Sequence, residues 1–226
     1  MIFAAGFGTR MGALTRDRPK PLIEVAGRSL LDHALGLADA AGVSRRVVNL
    51  HYLGDQIAAH LAGRNVALSW ETGAILETGG GLRAALPLLG PGPVMTLNSD
   101  AVWTGANPLS ELAQAWDPAR MDALLLLCPP SRASGHGGSG DFLMDDAGRL
   151  RRAEGAPGLV YVGAQILNPA GLEQVAQPTF SLNLLWDRLI AGRRAFGLVH
   201  DGGWCDVGRP DGIALAEALL AQSGDV

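Results

Sequence analysis

A chain of 226 residues, 48% of them apolar and 18% charged, is long enough to bury a substantial core as one domain. Its net charge of −4 gives no electrostatic reason to expect nucleic acid or an anionic membrane as a partner. With no leader pattern and no apolar run of bilayer length, the expectation is a soluble, cytoplasmic protein.

The first five residues, "MIFAA", read as a buried strand, and "AAGFGTRM" at 4–11 reads as a loop that holds phosphates. Gly6 and Gly8 let the backbone turn tightly and bring N–H groups close to an anion. Arg10 adds a forked cation suited to phosphate oxygens. A dinucleotide fingerprint fails here, because its third glycine is Met11 and Pro19 and Pro21 would break the helix it must open. The Walker pattern also fails, since no Gly-Lys-Ser/Thr follows.

Next comes "PKP". Lys20 is the one lysine among 18 basic residues, so it marks a place where a compact, rotatable ammonium is wanted, unless it survives by chance. The flanking prolines stiffen its mount, and Pro21 disfavours helix at Lys20. "SLLDHALGLADAAG" predicts a helix with Ser29 as N-cap and Gly42 near its end. "RRVVNLHYL", "NVALSW", "PVMTLN" and "ALLLLC" predict strands, separated by helices at "GDQIAAHLAG", "GGGLRAALPLLG" and "PLSELAQAW". That alternation predicts a parallel sheet with helices on both faces.

The second half changes rhythm. "PPSRASGHGGSGD" is a turn-rich loop, and "DFLMDDAGRLRRAE" predicts two short strands around an Asp-Asp-Ala-Gly turn. "GLVYVGAQIL" and "AFGLVH" predict strands flanking a helix at "SLNLLWDRLIAG", and "DGIALAEALLAQ" predicts a final helix. Mixed pairing is expected here, with the sheet extended by antiparallel edges.

Several residues carry chemistry. Asp100 in "NSD" follows a strand, where an acid faces the ligand crevice of an open sheet. A hard cation prefers such carboxylate oxygen, but a turn or cap aspartate is equally common there. Asp206 in "GGWCDVGRP" is hemmed by apolar residues, a costly setting unless it is metal-bound or paired, with Arg209 as the nearby candidate. The glycines of "ETGGG" mark a close backbone approach, against which a flat base could lie, or a hinge. Cys128, Cys205 and the five histidines match no metal spacing; Cys128 reads as core, Trp204 more as core than as a stacking platform, and the histidines as structural or surface residues.

"FAAGFGTRM" followed by "LTRDRPKPLIEVAGRSLL" resembles the signature of sugar-1-phosphate nucleotidyltransferases. The likeness runs nearly the whole length, through "ETGGG" at 77–81, "NSD" at 98–100, "GDF" at 140–142 and "WCDVG" at 204–208. Gly12-Ala13 depart from the usual x-Pro before Leu14-Thr15, and the first strand is short. The resemblance implies a Rossmann-like three-layer α/β/α sandwich with a mixed, mainly parallel sheet. It also implies a single domain over 1–226, with a nucleotide-binding half at 1–128 and a sugar-binding half at 129–226 that completes the metal site.

For the site, the resemblance implies Mg2+ held by Asp100 and Asp206, with Arg10 and Lys20 completing the catalytic set. Ala5, Gly6, Gly8, Thr9, Arg10, Lys20, Gly79 and Gly80 would bind the nucleotide. Asn98, Asp141, Glu154 and Gly163 would bind the sugar phosphate. The branch resembled implies transfer from UTP to N-acetylmuramic acid α-1-phosphate in peptidoglycan recycling, by a monomer or simple homodimer. Mannose-1-phosphate guanylyl transfer and choline-phosphate cytidylyl transfer remain open within the family, and a non-catalytic nucleotide-sugar regulator remains open outside it.

Overall fold

A computed structural model describes residues 1–224 of the chain. The first half holds β1 (Ile2–Phe3), a hairpin of β2 (Glu24–Val25) and β3 (Arg28–Ser29), α1 (Leu30–Ala40), β4 (Val47–Leu50) and α2 (Gly54–His60). It continues with β5 (Ala67–Trp70), α3 (Glu77–Leu89), β6 (Val94–Asn98), β7 (Ala101–Trp103), α4 (Pro108–Ala115) and β8 (Ala123–Cys128). The second half holds β9 (Ala133–Ser134), β10 (Phe142–Met144), β11 (Leu150–Arg152) and β12 (Val160–Leu167). It ends with α5 (Asn183–Ala191), β13 (Ala195–Val199), β14 (Trp204–Asp206) and α6 (Asp211–Ser223).

Local chemistry explains the boundaries. Ser29 Oγ accepts from the Asp32 amide at 3.1 Å and so caps α1 as its position predicted. Asn107 does the same for α4, accepting from Leu109 and Ser110, with Pro108 at the first helical position where its missing N–H costs nothing. The β10–β11 turn is tied by Asp145, whose Oδ1 accepts from the Ala147 and Arg149 amides, as the Asp-Asp-Ala-Gly run predicted. Two strands are shorter than their apolar runs: "MIFAA" keeps Ile2–Phe3 and "RRVVNLHYL" keeps Val47–Leu50.

Seven strands form the central sheet in the order β13-β8-β12-β6-β1-β4-β5. The β1–β4, β1–β6, β4–β5 and β8–β13 pairs are parallel, and β12 is antiparallel to both β6 and β8. The sheet is therefore mixed and mainly parallel. The expected antiparallel edges are corrected: the one reversed strand lies inside the sheet. β12 is almost wholly buried, and such an apolar strand would be a liability with one side unpaired.

Alternation along β8 shows the three layers. Leu124, Leu126 and Cys128 pack into a core with residues of α1, α2 and α4. Ala123, Leu125 and Leu127 face the opposite way, into a core with residues of α3 and α5. A third core under α6 joins Met11, Val25, Val102, Cys205 and Val207. Cys128 and Trp204 are core residues, as expected. Among the described residues no helix is long and apolar enough to cross a membrane.

A small second sheet brings the two candidate metal acids together. β14 pairs antiparallel with β7 and parallel with β9, placing Asp206 opposite Ala101. The ladder ends with the Val207 amide donating to the Asp100 carbonyl at 2.8 Å. Two acids more than a hundred positions apart in sequence thus become neighbours across one pair of strands.

Candidate active site

From β1 the chain runs outward through β4 and β5, then returns to place β6 on the other side of β1. Ligand crevices of open α/β sheets form at such a reversal, beyond the carboxyl ends of the strands. A cleft of about 320 Å³ opens there. Its wall includes Ala5, Gly6, Gly8, Thr9, Arg10, Lys20, Asn98 and Asp100.

The glycine loop is held from several sides. Met11, 1% exposed, anchors it in the core under α6. Thr15 Oγ1 donates to the Gly8 carbonyl at 3.1 Å, and the Tyr52 hydroxyl pins the far end at the Thr15 carbonyl, 2.8 Å away. Gly8 is required twice over. Its φ of +63° is left-handed, and a Cβ there would lie 2.9 Å from the Lys20 Cβ. Gly12, where the usual pattern differs, has φ +59° and kinks the short helical stretch over Thr9–Thr15.

Lys20 is buried, 8% exposed, and its Nζ donates to Asp100 Oδ2 at 2.8 Å. The expectation that Pro21 keeps Lys20 out of helix is corrected: Lys20 opens a 3-10 turn over Lys20–Leu22. Pro21 sits at the second position of that turn, where no N–H partner is needed. Asp100 is positioned by Ser99, whose Oγ donates to the Phe3 carbonyl at 2.6 Å. Arg10 is 59% exposed at its side chain, and its Nη1 stands 3.9 Å from Asp206 Oδ2.

Asp206 is the perturbed carboxylate. Burial raises its carboxyl above the ordinary range, and the charge of Asp100 raises it further. Lys20, Arg10 and His136 oppose that rise. The cation it meets is therefore Arg10, not the Arg209 considered from sequence. Gly208 completes the corner, since a Cβ there would come within 2.6 Å of Asp206 Oδ2. Among the described residues no three His, Cys, Asp or Glu side chains form a metal-ligand cluster, so the protein's own contribution at this corner is two carboxylates.

The other candidates are placed differently. Gly163 has φ +83° beside a register shift in β12, and a Cβ there would meet Asn98 at 2.9 Å; these two converge. Asp141 is exposed, with Oδ2 accepting from the Tyr161 amide, and Glu154 is an exposed turn residue with φ +50°. The cleft wall contains Ile75, Glu77 and Thr78 instead of Gly79 and Gly80. The glycine run lies inside α3, which begins at Glu77, and the close approach it permits is by the chain itself. Gly79 and Gly80 both donate to the Phe180 carbonyl, and a Cβ on Gly79 would strike the Phe180 ring at 2.4 Å.

Sequence reasoning missed Asn49 and Glu71 in the cleft wall. Asn49 accepts from the Ala4 amide at 2.7 Å and donates to Glu71 Oε1 at 2.6 Å, while Glu71 Oε2 accepts from the Leu76 amide. The network fastens the glycine loop to the segment before α3, and Glu71 is 3% exposed. A signal was present: a polar residue within the buried run "VVNL" needs a partner.

Residues 1–180 match the MobA-like NTP transferase domain. The chain belongs to that family. It is thereby an enzyme of the nucleotidyltransferase type. An N-acetylmuramate alpha-1-phosphate uridylyltransferase of Caulobacter vibrioides is 43% identical, over 99% of this chain and 97% of that relative. A protein of the same name from Neisseria meningitidis serogroup B is 35% identical, over 97% and 96%. The solved structure of HddC from Yersinia pseudotuberculosis complexed with GMP-PN shares the fold, with a TM-score of 0.76, 21% identity and 96% of each chain covered.

Proposed function

We propose that this NTP transferase moves a uridylyl group from UTP to N-acetylmuramic acid α-1-phosphate, forming a nucleotide sugar for peptidoglycan recycling in the cytoplasm. The observation that carries the reading is the meeting of Asp100, Asp206, Lys20 and Arg10 at one end of the glycine loop. The 43% and 35% identities to proteins of that activity support the choice of donor and acceptor.

The two carboxylates fit a hard divalent ion such as Mg2+. Asp206 is largely buried and pushed toward protonation by Asp100, and its nearest cation is beyond hydrogen-bond reach. Bound there, Mg2+ would neutralise charge on the reacting phosphates. Lys20 supports the same end by fixing Asp100 and presenting its ammonium to the cleft. The loop from Ala5 to Arg10 would hold the β- and γ-phosphates through backbone N–H groups and the Arg10 fork.

A sugar 1-phosphate already carries the charge of a nucleophile, so no general base is needed. An acceptor phosphate oxygen would form a bond to the α-phosphorus as the bond to the bridging oxygen breaks, and pyrophosphate would leave with that electron pair. Approach of one anion to another is the barrier, and positioning with charge neutralisation lowers it. In this reading 1–128 binds the nucleotide, Asn98 and Gly163 face the acceptor with Asp141 and Glu154 farther out, Gly79 and Gly80 shape the base side, and 129–226 completes the site. A monomer or simple homodimer suffices.

The test is pyrophosphate release from four nucleoside triphosphates, each paired with N-acetylmuramic acid α-1-phosphate, mannose 1-phosphate or phosphocholine. UTP with the first acceptor, dependent on Mg2+ and lost in excess chelator, is the expected result. GTP with mannose 1-phosphate would move the assignment to guanylyl transfer, and no release from any pair would sink it.

A further inference from the structure

His200 is fully buried, and both its ring nitrogens face acceptors. Nδ1 lies 2.6 Å from Glu111 Oε2 and Nε2 lies 3.2 Å from the Thr104 carbonyl. A carbonyl only accepts, so the Nε2 side requires a proton. The Nδ1 contact then requires a second one, carried either by the imidazole or by Glu111. Two further charged groups sit on the segments packed around the ring, Arg132 and Asp201, paired with each other at 3.7 Å. Trp103 covers the ring edge-on, 5.4 Å between centroids.

This contact closes the open end of the β7–β14 ladder. Beyond Trp103 and Trp204 the Thr104 amide donates to the Gly203 carbonyl, and the Gly203 amide donates to Thr104 Oγ1. Between them Gly202 approaches so closely that a Cβ would lie 2.5 Å from His200 Nε2. The same ladder ends at Asp100, four residues before Thr104, and Asp206, three residues after Gly203. A strand pair that slips by one residue turns every side chain to the opposite face. Whatever fixes its far end therefore fixes how the two acids face each other.

We propose that His200 and Glu111 form a clamp that positions Asp206 against Asp100 by locking the β7–β14 register through Thr104. They are positioning residues, and this rests on the proposed metal role of the two acids. The clamp holds only while both protons are present. Removing either donor leaves a lone pair facing an acceptor, and the ladder end loosens. In Glu111→Gln the amide donates to Nδ1 while Nε2–H still donates to Thr104, so a neutral imidazole satisfies every contact.

The experiment measures Mn2+ binding by titration, thermal unfolding, and kcat for the full chain and three variants. His200→Leu is expected to weaken Mn2+ binding and kcat by roughly 3- to 30-fold, the range for a residue coupled to a site it does not touch, while unfolding stays cooperative. Glu111→Gln, which keeps every contact, is expected to match wild type in both readouts, whereas Glu111→Leu, which leaves Nδ1 without a partner, is expected to weaken both. Wild-type Mn2+ binding in His200→Leu, or a Glu111→Gln variant as weak as Glu111→Leu, overturns the clamp. Should His200→Leu not fold, the comparison of Glu111→Gln with Glu111→Leu decides alone. Wild-type protein that neither binds Mn2+ nor releases pyrophosphate overturns the functional reading instead, which separates the two failures.

Discussion

Lys20 shows how much a single residue can carry. Its alkyl chain lies against the space a Gly8 side chain would fill, and its Nζ reaches Asp100 at 2.8 Å. A guanidinium keeps the charge but is broader and planar, so Lys20→Arg should lower turnover by roughly tenfold or more. Wild-type kinetics in that variant would show that charge alone matters there. Asp100→Asn should keep the shape and remove the negative charge, cutting turnover by about 10²-fold or more. Pyrophosphate release near the wild-type rate would remove Asp100 from the metal site. Sequence singled out both residues, but not that they bond to each other. That pairing joins positions 80 apart, and no local pattern encodes it.

At the scale of elements, the glycine loop and the start of α3 look alike in sequence and differ in purpose. A Cβ on Gly6 would meet nothing within 4 Å, whereas Gly8 is both left-handed and crowded. Gly6→Ala should therefore fold with unchanged melting while weakening triphosphate binding, measured as a raised KM. Gly8→Ala should destabilise by roughly 1–3 kcal/mol, read in denaturant unfolding. Equal melting of the two variants would contradict this division. Gly79 and Gly80 of α3 belong to packing against the Phe180 segment, a partner some hundred residues away, while Gly81 packs on Glu71 and Asn49. The same limit explains the misplaced antiparallel strand: apolar runs reveal that β12 is buried, but not between which neighbours.

For the whole molecule, the consequence lies in how distant strands bring Asp206 to Asp100. Asp206 has a raised folded value against an ordinary 3.8, caused first by burial and then by Asp100. For an acid shifted upward, the favourable contribution to stability is present below the ordinary value and is lost as pH rises through the folded one. Without a divalent ion, Asp206→Asn should thus melt no lower than wild type at neutral pH, and its advantage should vanish toward pH ~3.8 and below. Mg2+ should raise the wild-type melting temperature, by the equivalent of about 2.7 kcal/mol at a hundredfold excess over Kd. The variant should respond far less. A variant less stable than wild type at neutral pH, with equal gain from Mg2+, would place Asp206 in an ordinary structural pair.

The sequence by itself determined the element pattern, the glycine loop and the cations that line the cleft beside it. Each of these rests on short-range physics, namely apolar periodicity, glycine conformations and proline stiffness. It also carried the family likeness, with Asp100 and Asp206 as separate acids of interest. Only the tertiary structure decided that β7 and β14 pair so that those acids face one another. Only it showed that Asn49 and Glu71 tie the loop to the segment before α3, and that Gly79 and Gly80 meet Phe180. These are choices among long-range pairings. They depend on shape and on hydrogen-bond partners that no local stretch of residues contains.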